Sequence, residues 1–284
     1  MKGDTMKKTC DLHTHSIYSD GSFTPAELIL AAKEAKLSAL ALTDHNTVDG
    51  LPDFLAAAKE SSIEAIAGAE FSVELDGKEL HLLGLFIKEE YFPQVNDLMT
   101  DVQRRKEESN RDLIDALKRN GFPLDYDELS RKTPHGKFNR AHIGQRLTEL
   151  GYTVSVQHAL DTLLSPKAGY YHEPKRITVW EMLGFLSDIH ATPVLAHPFL
   201  NLQAEELVAF LPKARERGLV GMECRYTTYD KKKTALSEEM AEAFGLKPSG
   251  GSDFHGKIKP DIRLGTGYGS LKIPYEWAEN LRTE

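Results

Sequence analysis

The feature that most constrains this chain is a rhythm of seven short stretches rich in Val, Ile, Leu, Ala or small residues, each running into polar side chains able to bind metal. They are KTCDLHTH (8–15), LSALALTDH (37–45), IEAIAGAE (63–70), LHLLGLFI (80–87), ATPVLAHP (191–198), LVGMEC (219–224) and KPSGGSDFH (247–255). Runs this short and apolar read as buried strands. Helical patterns lie between several of them. TPAELILAAKEAK (24–36) opens with Thr24 as N-cap, Pro25 at the first helical position and Glu27 three residues beyond the cap. LPDFLAAAKE (51–60) and QAEELVAFLPKARER (203–217) read the same way, with Gly218 as a stop signal. Buried strands alternating with amphipathic helices predict an α/β protein with a mainly parallel sheet. In such folds the ligand site lies at the carboxyl ends of the strands, where most of these polar residues fall.

The rhythm breaks from about 100 to 188. DVQRRKEESNRDLIDALKRNG (101–121), RAHIGQRLTELG (140–151) and TVSVQHALDTLL (153–164) read as further helices. The expected organisation is therefore a barrel built from 1–99 and 189–284, with 100–188 as a helical insertion capping its mouth. A chain of 284 residues with 40% apolar and 27% charged residues has room for both and is a poor fit to disorder or coiled coil. No apolar run approaches the roughly 18–20 residues of a membrane span, and MKGDTMKKTCDLHTH reaches a polar His pair before any apolar stretch that a signal peptide needs. The expectation is a cytoplasmic protein with no membrane contact. The net charge of −8 argues against coating duplex DNA. Residues 131–176 nevertheless hold eight Lys/Arg against three acids, a local balance of +5 that suits a small anionic ligand. Two cysteines, Cys10 and Cys224, do not make a disulfide scaffold, and both read as reduced, buried packing residues.

His13 and His15 stand two apart on a strand, so both imidazoles project to one face and can chelate one ion. Asp20, His45, Glu70, His81, His197, Asp253 and His255 fall at or near the mouth-side ends of the other strands. Scattered surface or core histidines have no reason to gather there, yet six of the eleven do. Nitrogen and carboxylate ligands without thiolate suit zinc, manganese or iron, and nine of them exceed what one ion takes. Gly250 and Gly251 read as a close backbone pass beneath the site, and no GxxxxGK[ST] phosphate loop is present.

DLHTHS…SDG (11–21), TDHN (43–46), GAE (68–70), ELHLLG (79–84), AHP (196–198) and GSDFH (251–255) resemble the ordered motifs of the polymerase and histidinol phosphatase (PHP) superfamily. The resemblance implies a distorted (β/α)7 barrel with a trinuclear centre of divalent manganese, zinc or iron. Carried onto this sequence, it implies His13, His15, Glu70 and Asp253 around one ion. Glu70, His81 and His197 hold a second, with Glu70 bridging, and Asp20, His45 and His255 a third. Asp44 is read as an orienter of the ligands rather than a ligand. The segment NRAHIGQRLTELGYTVSVQHALDTLL (139–164) resembles the subgroup that removes phosphate from nucleotides, including nucleoside 3′,5′-bisphosphates and short RNA ends. That likeness assigns Arg140, with His142 beside it, to substrate phosphate. HEPKRIT (172–178) departs from the subgroup's Val-Pro-Arg run at the point where Lys175 and Arg176 stand.

The reading that follows is a phosphoesterase in which a metal-bridging hydroxide, held by Glu70 and Asp253, attacks phosphorus in line. Arg140, Arg176 and Arg225 are expected to neutralise phosphoryl oxygens through the guanidinium fork. Phe138, Tyr170, Tyr171, Tyr226 and Tyr229 are candidates for stacking on a base, with packing the commoner role for such residues. The expected partner is a small phosphate ester, a nucleoside monophosphate or bisphosphate. The alternatives are a 5′-to-3′ exonuclease of short RNA, a histidinol-phosphate phosphatase, and a non-catalytic metal-binding module.

Overall fold

The computed structural model describes residues 8–132, 138 and 140–282. The described residues divide into two compact units, one formed by Met1–Met99 with Ile177–Glu284 and one by Thr100–Arg176.

The first unit is a barrel-shaped sheet of eight strands in the order β7-β6-β5-β4-β3-β2-β1-β8. Its strands are β1 (Thr9–Asp11), β2 (Ala39–Leu42), β3 (Glu64–Leu75), β4 (Lys78–Leu85), β5 (Thr192–Leu195), β6 (Gly221–Tyr226), β7 (Lys247–Gly251) and β8 (Ile273–Pro274). All seven expected strands are present, and the two-residue β8, which the sequence pattern does not announce, runs antiparallel beside β1. Beyond the strand ends, β7 and β1 join: Leu12 N donates to Gly250 O at 3.2 Å and Asp253 N to His13 O at 2.9 Å. This seam needs Gly251, because a Cβ there would stand 2.2 Å from that of His13.

Besides the short β8, the sheet departs from the parallel expectation at one strand. β4 is antiparallel to both β3 and β5. The cause is the two-residue turn Asp76-Gly77, with φ of 50° and 82°. Two consecutive positive φ values match the twist of a hairpin, and Asp-Gly is a preferred pair for them. The consequence is functional. A strand running backwards starts where its neighbours end, so His81 near the start of β4 lies level with the carboxyl end of β5, where Ala196 N donates to His81 O at 3.0 Å.

Helices α1 (Pro25–Glu34), α2 (Leu51–Ala58), α7 (Val179–Asp188), α8 (Ala204–Glu216), α9 (Lys231–Ala243) and α10 (Tyr275–Leu281) belong to this unit. Thr24 and Glu27 close the expected capping box on α1. A boundary correction concerns α7, which lies inside the expected 100–188 insertion. Thr178 and Glu181 cap it, and Val179, Met182, Leu183 and Leu186 are buried on the barrel side, so the insertion ends at Arg176. Helix α10 packs at the starts of the strands: Leu281 O accepts from Thr192 Oγ1, and Ala278 and Leu281 share a core with Cys10, Ala39, Ile66 and Val194. One end of the barrel is thus filled by apolar side chains, leaving the other for chemistry.

The second unit contains most of α3 (Phe92–Arg119), then α4 (Tyr126–Lys132), α5 (Arg140–Glu149) and α6 (Val156–Asp161). It has its own core of Leu113, Leu117, Leu129, Phe138, Ile143 and Leu147, among others. No described helix is long and apolar enough to cross a membrane.

Because Gly77 sits at a left-handed φ with open space around it, Gly77→Ala is expected to cost about 1 kcal/mol from backbone strain alone. Gly184→Ala, mid-helix in α7 and equally uncrowded, is expected to stabilise by up to about 1 kcal/mol. Urea unfolding of the two variants checks both signs.

Candidate metal centre

Glu70 lies at the middle of the site, 1% exposed on β3. Its two oxygens divide the surrounding imidazoles. Oε1 is 2.8 Å from His81 Nδ1 and 2.9 Å from His197 Nε2. Oε2 is 3.1 Å from His13 Nε2, 3.3 Å from His15 Nε2 and 3.1 Å from His45 Nδ1. Asp253 Oδ1 faces the same centre, 3.1 Å from His15 Nε2 and 3.6 Å from His13 Nε2. Asp20, half exposed on the loop after β1, stands 3.2 Å from His255 Nε2 and 3.8 Å from both His15 Nδ1 and His45 Nε2. All nine expected ligand residues therefore converge at the carboxyl-end mouth.

Three groups have ligand atoms mutually within 4.8 Å: His15, Asp20, His45 and His255; His13, His15 and Glu70; and His45, Glu70 and His81. Each contains at least three nitrogen or carboxylate ligands, the donor set of zinc, manganese or iron. His13 Nε2, both nitrogens of His15 and His197 Nδ1 are buried with no hydrogen-bond partner. Leaving such groups unmatched is costly, and a divalent cation satisfies them directly.

Charge couples the carboxylates and imidazoles of the centre strongly. Burial penalises charge on Glu70, but His13, His197 and His81 outweigh it and hold the carboxyl well below its usual range. At His13 burial is likewise outweighed, here by Glu70 and Glu223, and the imidazole is held well above its ordinary value. At His15 burial wins and lowers the value to about 4, which favours the neutral ring that a cation requires. Asp253 is also held well below the carboxylate range, its own burial outweighed by the neighbouring His15 ring and the charge of His13.

The backbone around the centre is strained. His197 and Asp253 adopt φ of 26° and 55°, and Asn46, next to His45, has φ of 53°. Non-glycine residues seldom occupy this region, and such positions gather at functional sites.

Several positioning groups escaped the sequence reading. Glu223, fully buried on β6, lies 3.0 Å from His13 Nδ1 and accepts from His197 N at 2.6 Å. A proton held on His13 Nδ1 leaves the Nε2 lone pair aimed at the centre. The signal was there: a carboxylate inside the apolar stretch LVGMEC. Asp11 accepts from Ser252 N at 2.8 Å and from Gly265 N at 2.7 Å, tying β1 to the segment that carries Asp253. Tyr226 Oη donates to Asp253 Oδ2 at 2.8 Å, and Lys259 Nζ is 2.9 Å from the same oxygen. Asp44, unlike these, was read from the sequence as an orienter; it accepts from Ser16 N, Ser16 Oγ and Ser19 Oγ, which shapes the loop leading to Asp20.

The profile of the PHP domain family matches residues 11–163, more than half of the chain. This chain belongs to the PHP domain family. It is 28% identical to the 5′-3′ exoribonuclease of Haemophilus influenzae, across 88% of this chain and 91% of that one. It is also 28% identical to the 3′,5′-nucleoside bisphosphate phosphatase of Chromobacterium violaceum, across 86% of each. A solved amidohydrolase structure from Chromobacterium violaceum, with bound sulfate and no metal, matches at a TM-score of 0.71 and 24% identity over 96% of both chains, a likeness of fold.

Some expected substrate contacts of this PHP domain lie elsewhere. Arg225 is a correction: its Nε donates to Glu238 at 2.8 Å, its Nη1 to Lys272 O at 2.7 Å, and its guanidinium covers the Trp277 ring. A bulge in the pairing between Glu223 and Arg225 helps set which face each presents, and the guanidinium is committed to α9 and α10. Phe138, Tyr170 and Tyr171 pack in the core of the second unit. The hydroxyl of Tyr226 is taken by Asp253, and that of Tyr229 accepts from Phe199 N at 2.9 Å. Arg140 and His142 open α5; the Arg140 guanidinium sits 4.2 Å over the Tyr171 ring and donates to Leu164 O. Arg176 ends the second unit.

Glu223→Gln removes the charge that orients His13 and holds the backbone of His197. Metal affinity is expected to fall roughly 10- to 100-fold with the fold retained. Equilibrium dialysis against manganese reads this, and an unchanged affinity contradicts the orienting role.

Proposed function

We propose that this chain is a metal-dependent phosphoesterase that removes phosphate from small nucleotides, either nucleoside monophosphates or 3′,5′-bisphosphates. The observation that carries the reading is the convergence of six imidazoles and three carboxylates on one barrel mouth, with four buried imidazole nitrogens lacking partners.

In this reading the nine residues would hold up to three divalent ions of manganese, zinc or iron, with Glu70 and Asp253 as the central carboxylates. Such ions lower the pKa of water from 15.7 to roughly 7 and neutralise charge on phosphoryl oxygens. The chain's own groups hold this arrangement in register. Glu223 fixes the His13 ring, Tyr226 fixes Asp253, and the Ser16–Asp44–Ser19 bonds shape the Asp20 loop. Thiol chemistry has no part in it: Cys224 is buried and its thiol is pushed up to about 12, chiefly by burial, while buried Cys10 lies near Pro274. In this reading Arg140, His142 and Arg176 of the insertion are the fork-shaped and ring donors for the substrate phosphate. The insertion's positive balance within an acidic cytoplasmic protein supports a small anion rather than duplex.

A second reading, stepwise 5′-to-3′ removal of nucleotides from short RNA, is supported by the 28% identity to the Haemophilus influenzae exoribonuclease. It uses the same centre on a longer anion.

Phosphate release from adenosine 3′,5′-bisphosphate, AMP, histidinol phosphate and a five-nucleotide RNA, compared with manganese present, separates the readings. Release from the nucleotides with the RNA left intact is expected. Stepwise RNA loss moves the assignment to the second reading, turnover of histidinol phosphate alone overturns both, and bound metal without any turnover leaves a binding module. Among carboxylate variants, Glu70→Gln is expected to be more damaging to metal content and rate than Asp20→Asn, since one side chain faces five rings and the other sits at the exposed rim. Arg140→Ala is expected to raise KM for the nucleotide about tenfold or more with metal content unchanged; metal loss instead contradicts a substrate role.

A further inference from the structure

The centre carries three carboxylates, Asp20, Glu70 and Asp253, and a phosphate ester reaches it as an anion. Positive side chains within reach are therefore informative. Among the described residues of the first unit, Lys78, Arg225 and Arg282 form ion pairs with Glu206, Glu238 and Glu64, all outside the centre. Lys259 differs: its Nζ is 2.9 Å from Oδ2 of Asp253. That oxygen already accepts a hydrogen bond at 2.8 Å from Tyr226, whose side chain is buried, so Asp253 does not depend on Lys259 for satisfaction. The Lys259 side chain stays 40% exposed. Asp253 is buried while the ammonium stays open to water, and an ammonium has three donors of which Asp253 takes one.

The backbone that delivers Lys259 is anchored to the centre. Ser22 N donates to His255 O at 3.1 Å, and Lys257 N donates to Ser22 Oγ at 2.7 Å. The loop holding Asp20 and the turn leading to Lys259 are thereby clamped together. A tethered ammonium with spare donors, open to solvent beside the reaction centre, has the chemistry of an oxyanion ligand.

We infer that Lys259 is the barrel's own phosphate-binding side chain: held by Asp253, it gives its remaining N–H donors to non-bridging oxygens of a phosphate group at the centre. This rests on the phosphoesterase reading for its substrate, but phosphate binding is measurable without turnover.

Calorimetric titration of inorganic phosphate into the metal-loaded full chain tests it, with wild type, Lys259→Met, Lys259→Arg and Lys257→Met compared and bound metal measured by elemental analysis. Lys259→Met is expected to weaken phosphate binding roughly tenfold or more at unchanged metal content. Lys259→Arg is expected to restore most of the affinity, and Lys257→Met, a neighbouring exposed charge, to leave it unchanged. The inference is overturned by unchanged phosphate affinity in Lys259→Met, by loss of metal in that variant, by an equal effect of Lys257→Met, or by a wild type that does not bind phosphate. Phosphate binding that depends on Lys259 in a protein that hydrolyses no ester upholds the inference while the phosphoesterase reading fails.

Discussion

One buried carboxylate organises this protein. Glu70 offers an oxygen to His81 and His197 on one side and to His13, His15 and His45 on the other, at 2.8–3.3 Å. A carboxylate taken out of water is tolerable only among partners that favour its charge. Its partners come from β1, β2, β4 and the end of β5, so the centre exists only when the barrel is assembled in register. The dependence also runs the other way. Several of these rings are buried with nitrogens unmatched, and the cation-binding arrangement is what makes their burial worthwhile.

Local geometry serves that register. The Asp76-Gly77 hairpin turns β4 around and brings His81 to the mouth, and the missing side chain at Gly251 lets β7 close against His13. Positive φ at His197 and Asp253 is strain stored in the residues that face the centre. Outside the ligands, Glu223, Tyr226, Asp11 and Asp44 convert loosely tethered rings and loops into fixed ones. At the opposite end, the apolar packing of α10 supplies the hydrophobic burial that such a polar centre does not.

Much of this was legible in the sequence because candidate metal ligands break the apolar pattern of buried strands. A histidine or acid at the end of such a run has no packing reason to be there, and the nine residues picked out by that argument are the nine that meet in space. Seven of the eight strands were legible for the same reason. The direction of β4 was missed although Asp-Gly announces a hairpin, because the alternation of strands and helices was given more weight than a two-residue turn. Arg225 was misread because adjacent residues on a strand point to opposite faces, and a bulge between Glu223 and Arg225 alters that phase in a way composition does not reveal. The aromatic residues of the insertion fall on the packing side of the two roles the sequence left open for them. Helical segments with thin apolar seams hide a core that forms only when α3, α4 and α5 pack, and Phe138 and Tyr171 are part of it.

Metal is the proposed cause of activity, so stoichiometry and rate belong in one experiment. Metal-stripped protein titrated with manganese, while phosphate release from adenosine 3′,5′-bisphosphate is followed, is predicted to gain activity with bound metal and to saturate at no more than three equivalents. Full phosphate release from protein shown by elemental analysis to hold no metal, or saturation of metal binding with no release from any phosphate ester, would contradict it.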